Sequence, residues 1–160
     1  MVKTNFYLEN TERDLSMSLG NVFDIAAMGM SAQTIRLNTT ASNMANAETS
    51  ASSEAEAYKA LRPVFVSSSE KNAANGLLNG SSPADFGVMV REIVESQAPV
   101  NKAYEPNNPQ ANEEGYVFYS NVNSIEEMAD MISASRSFQM NVEMMNTTKS
   151  MMQRLLSMGQ

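Results

Sequence analysis

The chain has 160 residues, enough for one ordinary domain or for a small domain with long helical arms. Its formal net charge of −7 argues against non-specific binding to nucleic acid or anionic lipid, both of which favour basic patches. With no Cys and no His, it lacks thiol nucleophiles, disulfides, thiolate zinc sites and the commonest general base.

The first segment, residues 1–20, reads "MVKTNFYLENTERDLSMSLG". It has no apolar core followed by a cleavage site, so no Sec-type signal peptide is expected. No apolar run in the chain approaches the roughly 18 residues needed to span a bilayer, so no membrane insertion is expected. The chain is then either cytoplasmic or exported by a route that does not cleave a leader.

Residues 21–48 are expected to form an N-terminal helical arm. All five prolines lie between Pro63 and Pro109, and proline is excluded from helix interiors, so both ends are free to be helical. Phe23, Ala27, Met30, Thr34, Leu37, Ala41 and Met44 follow a 4-3 spacing, the pattern of a heptad stripe. Asn21 is placed to cap the start, and Asp24 suits the positive end of the helix dipole. Asp24 and Arg36 are the only charges from Asn21 to Ala47. The outer face is therefore built of small neutral residues that tolerate close helix contact.

The centre, 49–122, reads as a small β-rich domain. "YKALRPVFV" (Tyr58–Val66), "VMVREIVES" (Val88–Ser96) and "GYVFYSNV" (Gly115–Val122) are β-branched or aromatic and alternate loosely, as strands do. Between the first two, residues 67–87 form a Ser/Asn/Gly-rich stretch that reads as a flexible loop. Tyr104–Gly115 is expected to be extended and then to turn, because residues before proline avoid the helical region.

Residues 123–160 are expected to form the C-terminal helical arm, with the helix over Ser124–Ser157 and Gly159 placed to end it. Ser124 and Glu127 have capping-box spacing, and Asn123 is an alternative cap. Met131, Phe138, Met145 and Met152 recur every seven residues, with Met128, Ser135, Val142, Lys149 and Leu156 interleaved. Ala134, Asn141, Met144, Thr148, Met151 and Leu155 make a second stripe. Eight of the 14 Met residues lie between Met128 and Met158, and methionine suits adaptable binding surfaces. Two helical arms in one chain can cover one stripe of each other, which leaves the second stripe for another molecule.

Signs of catalysis are weak. Ser68–Lys71 spells S-x-x-K, but in a polar loop and without the K-T-G or S-D-N companions of Ser/Lys hydrolases. Glu126, Glu127 and Asp130 could be imagined as metal ligands, yet acids in the first turns of a helix are accounted for by the dipole. No cofactor is expected.

Three stretches carry a resemblance. "NVFDIAAMGMSAQTIRLNTTASNMANAET" resembles the N-terminal motif of the flagellar rod/hook/axial protein family. "ESQAPVNKAYEPNNPQANEEGYV" and "MISASRSFQMNVEMMNTTKSMMQRLLSMGQ" resemble, within that family, the subunits of the proximal rod. The resemblance covers roughly Ser18–Gln160. It implies an α+β chain whose long N- and C-terminal helices pair as an antiparallel coiled coil, with the central β segment as an outer domain. It also implies a structural subunit with no enzymatic activity. The protein would be exported unfolded by the flagellar type III apparatus and would assemble in the periplasmic rod that transmits torque. Its implied partners are copies of itself, other proximal and distal rod subunits, and the adaptor at the MS-ring junction. Such proteins commonly start near the position of Met17, so residues 1–16 are an extension or an upstream start.

The expected assembly contacts are Phe23, Met30, Leu37 and Met44 on one arm, and Met131, Phe138, Val142, Met145, Met152, Leu155 and Leu156 on the other. Met30, Leu37 and Met44 are expected to pack on Phe138, Val142, Met145 and Met152. Three positions depart from the family pattern. Asn107 stands where "EPGNP" has glycine, Phe138 stands for tyrosine in "SRSYQ", and Ala27 stands for the glycine of "Ile-Ala-Gly-Ser", with Gly29 displaced. The rival reading is a soluble helical adaptor or chaperone of a secretion system, which would be a stable folded dimer in dilute solution.

Overall fold

A computed structural model describes residues 2–67 and 87–158, and side chains from Gly20 onward. The elements in order are α1 (Val2–Ala45), β1 (Ser50–Ala51), β2 (Leu61–Ser67), β3 (Val88–Glu95), β4 (Asn101–Tyr104), β5 (Tyr116–Tyr119) and α2 (Ser124–Met158). Two terminal helices flanking a small β region agree with the α+β class. The helices are long, about 66 Å and about 52 Å at 1.5 Å per residue. The expected 67–87 loop falls almost wholly outside the described residues, as do the S-x-x-K tetrad and Gly159.

Helix α1 begins much earlier than Asn21. Nothing between Val2 and Gly20 stops a helix, because proline is absent there and Gly20 costs only about 1 kcal/mol relative to alanine. Asn21 is therefore helix interior, and it caps nothing. The other end is closed without glycine. Asn46 donates from its backbone N–H to Ser42 O (3.2 Å) and from Nδ2 to the same oxygen (2.8 Å), and Thr49 Oγ1 donates to Asn46 O. For α2, Asn123 is the cap: its Oδ1 accepts from Ile125 N at 3.0 Å and its carbonyl from Glu127 N. Glu126 and Glu127 occupy the first turn, where carboxylates favour the positive dipole end.

The strands form a three-stranded sheet in the order β1-β5-β4 and a two-stranded sheet of β2 and β3. β5 is central and antiparallel to both neighbours, with Ser50 opposite Tyr119 and Lys102 opposite Phe118. The expected strands correspond to β2, β3 and β5, while β1 and β4 are additional. β1 has only two residues, and β4 (Asn-Lys-Ala-Tyr) shows no apolar alternation. Each is a strand because β5 offers it backbone partners.

The β4–β5 connection turns twice. Asn108 N donates to Glu105 O (3.0 Å) with Pro106 and Asn107 between, and no non-glycine residue among those described has positive φ. Asn107 thus replaces glycine without strain. Gly115 does need to be glycine: its φ is +81°, and a Cβ would lie 2.9 Å from the Tyr104 ring. Asparagine side chains stitch the rest. Asn121 accepts from Ala60 N and donates to Ala98 O, both at 2.7 Å, and Asn101 Nδ2 donates to Ser120 O.

Tyr119 donates its hydroxyl to the Glu105 carboxylate at 3.0 and 3.2 Å. That hydrogen bond pushes the phenol above its ordinary value of 10.0, with partial burial and the Glu105 charge adding in the same direction. The folded state therefore holds this proton longer than the unfolded chain does. Its contribution to stability is complete below pH 10 and is lost as the pH rises through the folded value. In an alkaline ultraviolet titration a step raised above the ordinary tyrosine value should be present, and it should vanish in Tyr119→Phe. In Glu105→Ala it should move back toward the ordinary value, and an unchanged raised step would refute the assignment.

The contacts divide into two compact units. One comprises Met1–Ala32, Val66–Met89 and Ser137–Gln160, the other Gln33–Phe65 and Val90–Arg136. In the first, Gly29 of α1 meets Asn141 of α2 so closely that a Cβ on Gly29 would lie 2.8 Å from Asn141 Nδ2. In the second, Arg36 of α1 meets Asp130 of α2 at 2.6 Å.

Candidate assembly surface

The buried apolar residues among those described are few and small: Ala26, Ala32, Ala57, Ala60, Ala134 and Val117. Helix α1 turns Ala26, Gly29, Ala32, Thr39, Thr40 and Asn43 inward. The expected 4-3 stripe is therefore rotated by about one residue. Its members Ala27, Thr34 and Ala41 are exposed, and Phe23, Met30, Leu37 and Met44 are half-buried beside the seam. The physical reason is approach distance, since small residues let a second helix come near, as at Gly29. Large apolar spacing in the sequence does not reveal which neighbouring face will be chosen.

Helix α2 presents a regular 4-3 line of its most buried residues: Glu127, Met131, Ala134, Phe138, Asn141, Met145, Thr148 and Met152. Met131, Phe138, Met145 and Met152 were expected on one stripe and are half-buried on this line. Their companions differ from expectation. Met128, Val142, Lys149 and Leu156 are exposed, and Ala134, Asn141 and Thr148 take the seam positions in their place. What remains outward includes many large apolar side chains among the polar ones: Met140 64%, Met144 49%, Met151 52%, Leu155 42%, Leu156 68% and Met158 83% exposed, with Ile125, Met128 and Ile132 nearer the start. Apolar surface this extensive on a single element is unusual for a protein that works alone.

Polar contacts fix the helices to the β region. Asn43, 1% exposed, forms a closed ring with the Leu61 backbone: Nδ2 donates to Leu61 O (2.9 Å) and Oδ1 accepts from Leu61 N (2.8 Å). The same Oδ1 accepts from the Tyr58 hydroxyl at 3.0 Å. Asn43 acts as a strand partner supplied by a helix, and it sits inside the Ala-Ser-Asn stretch that carried the family resemblance. It was absent from the expected contacts because an asparagine amid Ser, Thr and Ala reads as surface.

A charged cluster lies beside it. Asp130 accepts from Arg36 Nη2 at 2.6 Å and from Arg62 Nη1 at 3.1 Å, so one carboxylate joins α1, β2 and α2. Arg62 also reaches Glu127 at 3.3 Å and Glu126 at 4.0 Å. Glu127 is fully buried, which a first-turn acid serving only the dipole would not be. Glu126, Glu127 and Asp130 of α2 thus act in ion pairs with Arg62 and Arg36.

Comparison with known proteins gives the context. Residues 23–50 match the family described as "Flagella basal body rod protein", and residues 113–158 match "Flagellar basal body rod FlgEFG protein C-terminal". The chain is 46% identical over 144 residues to the flagellar basal-body rod protein FlgC of Escherichia coli O6:H1. That match covers 90% of this chain and 100% of the relative. Identity to FlgC of Salmonella typhimurium is 44% with the same coverage. To FlgC of Bacillus subtilis it is 34%, covering 89% of this chain and 99% of the relative. The chain belongs to the FlgC family of flagellar basal-body rod proteins. The two family matches coincide with α1 from Phe23 onward and with β5 and α2. Those elements carry the small-residue seam, the Asn43 ring and the exposed methionine face.

Proposed function

We propose that this chain is a structural subunit of the flagellar basal-body rod, that it lies in the proximal part of the rod, and that it polymerises through its terminal helices. One observation carries the reading. Among the described residues a single valine and five alanines are the buried apolar side chains, while α2 alone leaves ten large apolar side chains exposed. Folding of one chain does not bury this surface, and repeated contact between subunits would. Contacts between unlike patches that do not close on a ring build a helix of subunits, which is the form of a shaft.

The arms pair antiparallel in this reading. Within one compact unit, Arg36 meets Asp130, and Thr40 shares a cleft with Glu127, so numbers rise along α1 as they fall along α2. Residues 21–48 and 123–160 then serve as the arms and 49–122 as the outer domain, with 1–20 as an extension. The contacts assigned to assembly are Phe23, Met30, Leu37, Met44, Met131, Phe138, Val142, Met145, Met152, Leu155 and Leu156. Of these, Val142, Leu155 and Leu156 are open to a neighbouring subunit. Neighbours are other copies, further rod subunits and the junction protein at the MS ring. Delivery is through the type III export apparatus without a cleaved leader, and the site of assembly is the periplasm. No helix among the described residues is long and apolar enough to cross a membrane.

Mass spectrometry of purified basal bodies tests this directly. The chain should be recovered with the rod and be missing from basal bodies of a strain that lacks its gene. Recovery only from the cytosol, as a stable soluble dimer, would instead support the adaptor or chaperone reading.

A further inference from the structure

The outward apolar line of α2 is made largely of thioethers. Met140, Met144, Met151, Leu155 and Met158 follow at steps of four, seven, four and three residues, which keeps them on one side of the helix. All four methionines are about half or more exposed, as is Met128 near the start of α2, whereas Met131, Met145 and Met152 are half-buried in the seam. The chain has no cysteine, so no thiol within it competes for an oxidant. Among the described residues every exposed methionine is on α2, the helix whose uncovered apolar side chains the proposed function gives to subunit contact.

We propose that Met140, Met144, Met151 and Met158 are a modification site, and that their oxidation by a peroxide in the free subunit blocks incorporation into the rod. The step is a two-electron transfer of oxygen. The thioether sulfur attacks one peroxide oxygen, the O–O bond breaks, and an S=O bond forms. The sulfur is oxidised to the sulfoxide, and hydrogen peroxide is reduced to water. The product is a chiral polar group where a flexible apolar one stood. On the free subunit the new oxygen is hydrated. In an apolar contact between subunits it would be stripped of water without a donor to replace it. Oxidation thus spares the fold and acts on assembly. Seam methionines are shielded by the chain's own packing, so the exposed set reacts first.

This inference rests on the assembly reading, and its test separates the two. The purified full chain is treated with hydrogen peroxide and its peptides are weighed over time. Gain of one oxygen should come first at Met140, Met144, Met151 and Met158, together with the equally exposed Met128, and later at Met131, Met145 and Met152, while helical circular dichroism is kept. In cells lacking their own copy, Met144→Gln with Met151→Gln imitates the polar sulfoxide. Met144→Leu with Met151→Leu stays apolar and cannot be oxidised. The Gln pair should be exported but missing from basal bodies, with motility lost, and the Leu pair should swim. Equal oxidation of both methionine sets, incorporation of the Gln pair at the wild-type level, or failure of the Leu pair would each overturn the proposal. If the unmodified chain is itself missing from basal bodies, the assembly reading fails instead.

Discussion

Leu156→Asp should leave the subunit folded and exported but stop rod assembly, so that cells become non-motile. Leu156 is 68% exposed on the single chain, so a charge there stays hydrated in the monomer. Surface changes of this kind alter stability by within about 0.5 kcal/mol. In an apolar contact between subunits the same carboxylate would be desolvated without a partner, at several kcal/mol. A shaft repeats its contacts, so the penalty recurs with every copy and assembly fails altogether. Leu156→Met keeps volume and apolarity, should cost under about 1.5 kcal/mol, and should preserve swimming. The measurements are thermal unfolding of the purified variants, fractionation for exported protein, and motility in soft agar. A fully motile Leu156→Asp strain would show that this end of α2 is solvent-facing in the rod and would remove the main support for assembly through it.

Asn43→Ala should have the largest effect on folding itself, about 2–4 kcal/mol. The substitution strips both backbone groups of Leu61 of their partner and takes an acceptor from Tyr58. Each buried group left unpaired costs about 1–3 kcal/mol, and the lost ring is the link between α1 and the first residue of β2. Asn43→Asp should not rescue it. The carboxylate can still accept from Leu61 N and Tyr58, but it has no N–H for Leu61 O and places two oxygens face to face. Urea unfolding of the full chain gives the stability change, and amide exchange at Leu61 gives its location. A loss under about 0.5 kcal/mol, with Leu61 still protected, would mean that water replaces the asparagine without penalty.

Local rules in the sequence determined the gross architecture. Confinement of proline to Pro63–Pro109 marked where helices could run, and β-branched alternation marked β2, β3 and β5. The seven-residue recurrence of Met131, Phe138, Met145 and Met152 put those four on one line of α2, because a heptad repeat depends only on helix geometry. The three quoted motif stretches identified the family. Tertiary contacts decided the rest. Whether Ala27 or Ala26 faces inward is a rotation of about one residue, and it follows from how closely α2 can approach at Gly29. β1 and β4 exist because β5 supplies their hydrogen bonds, which no property of "SA" or "NKAY" announces. The roles of Asn43 and Asp130 depend on Leu61, Arg36 and Arg62 arriving from distant parts of the chain. A polar side chain's role is set by the partners folding brings to it, whereas helical and strand periodicity is set by the backbone alone.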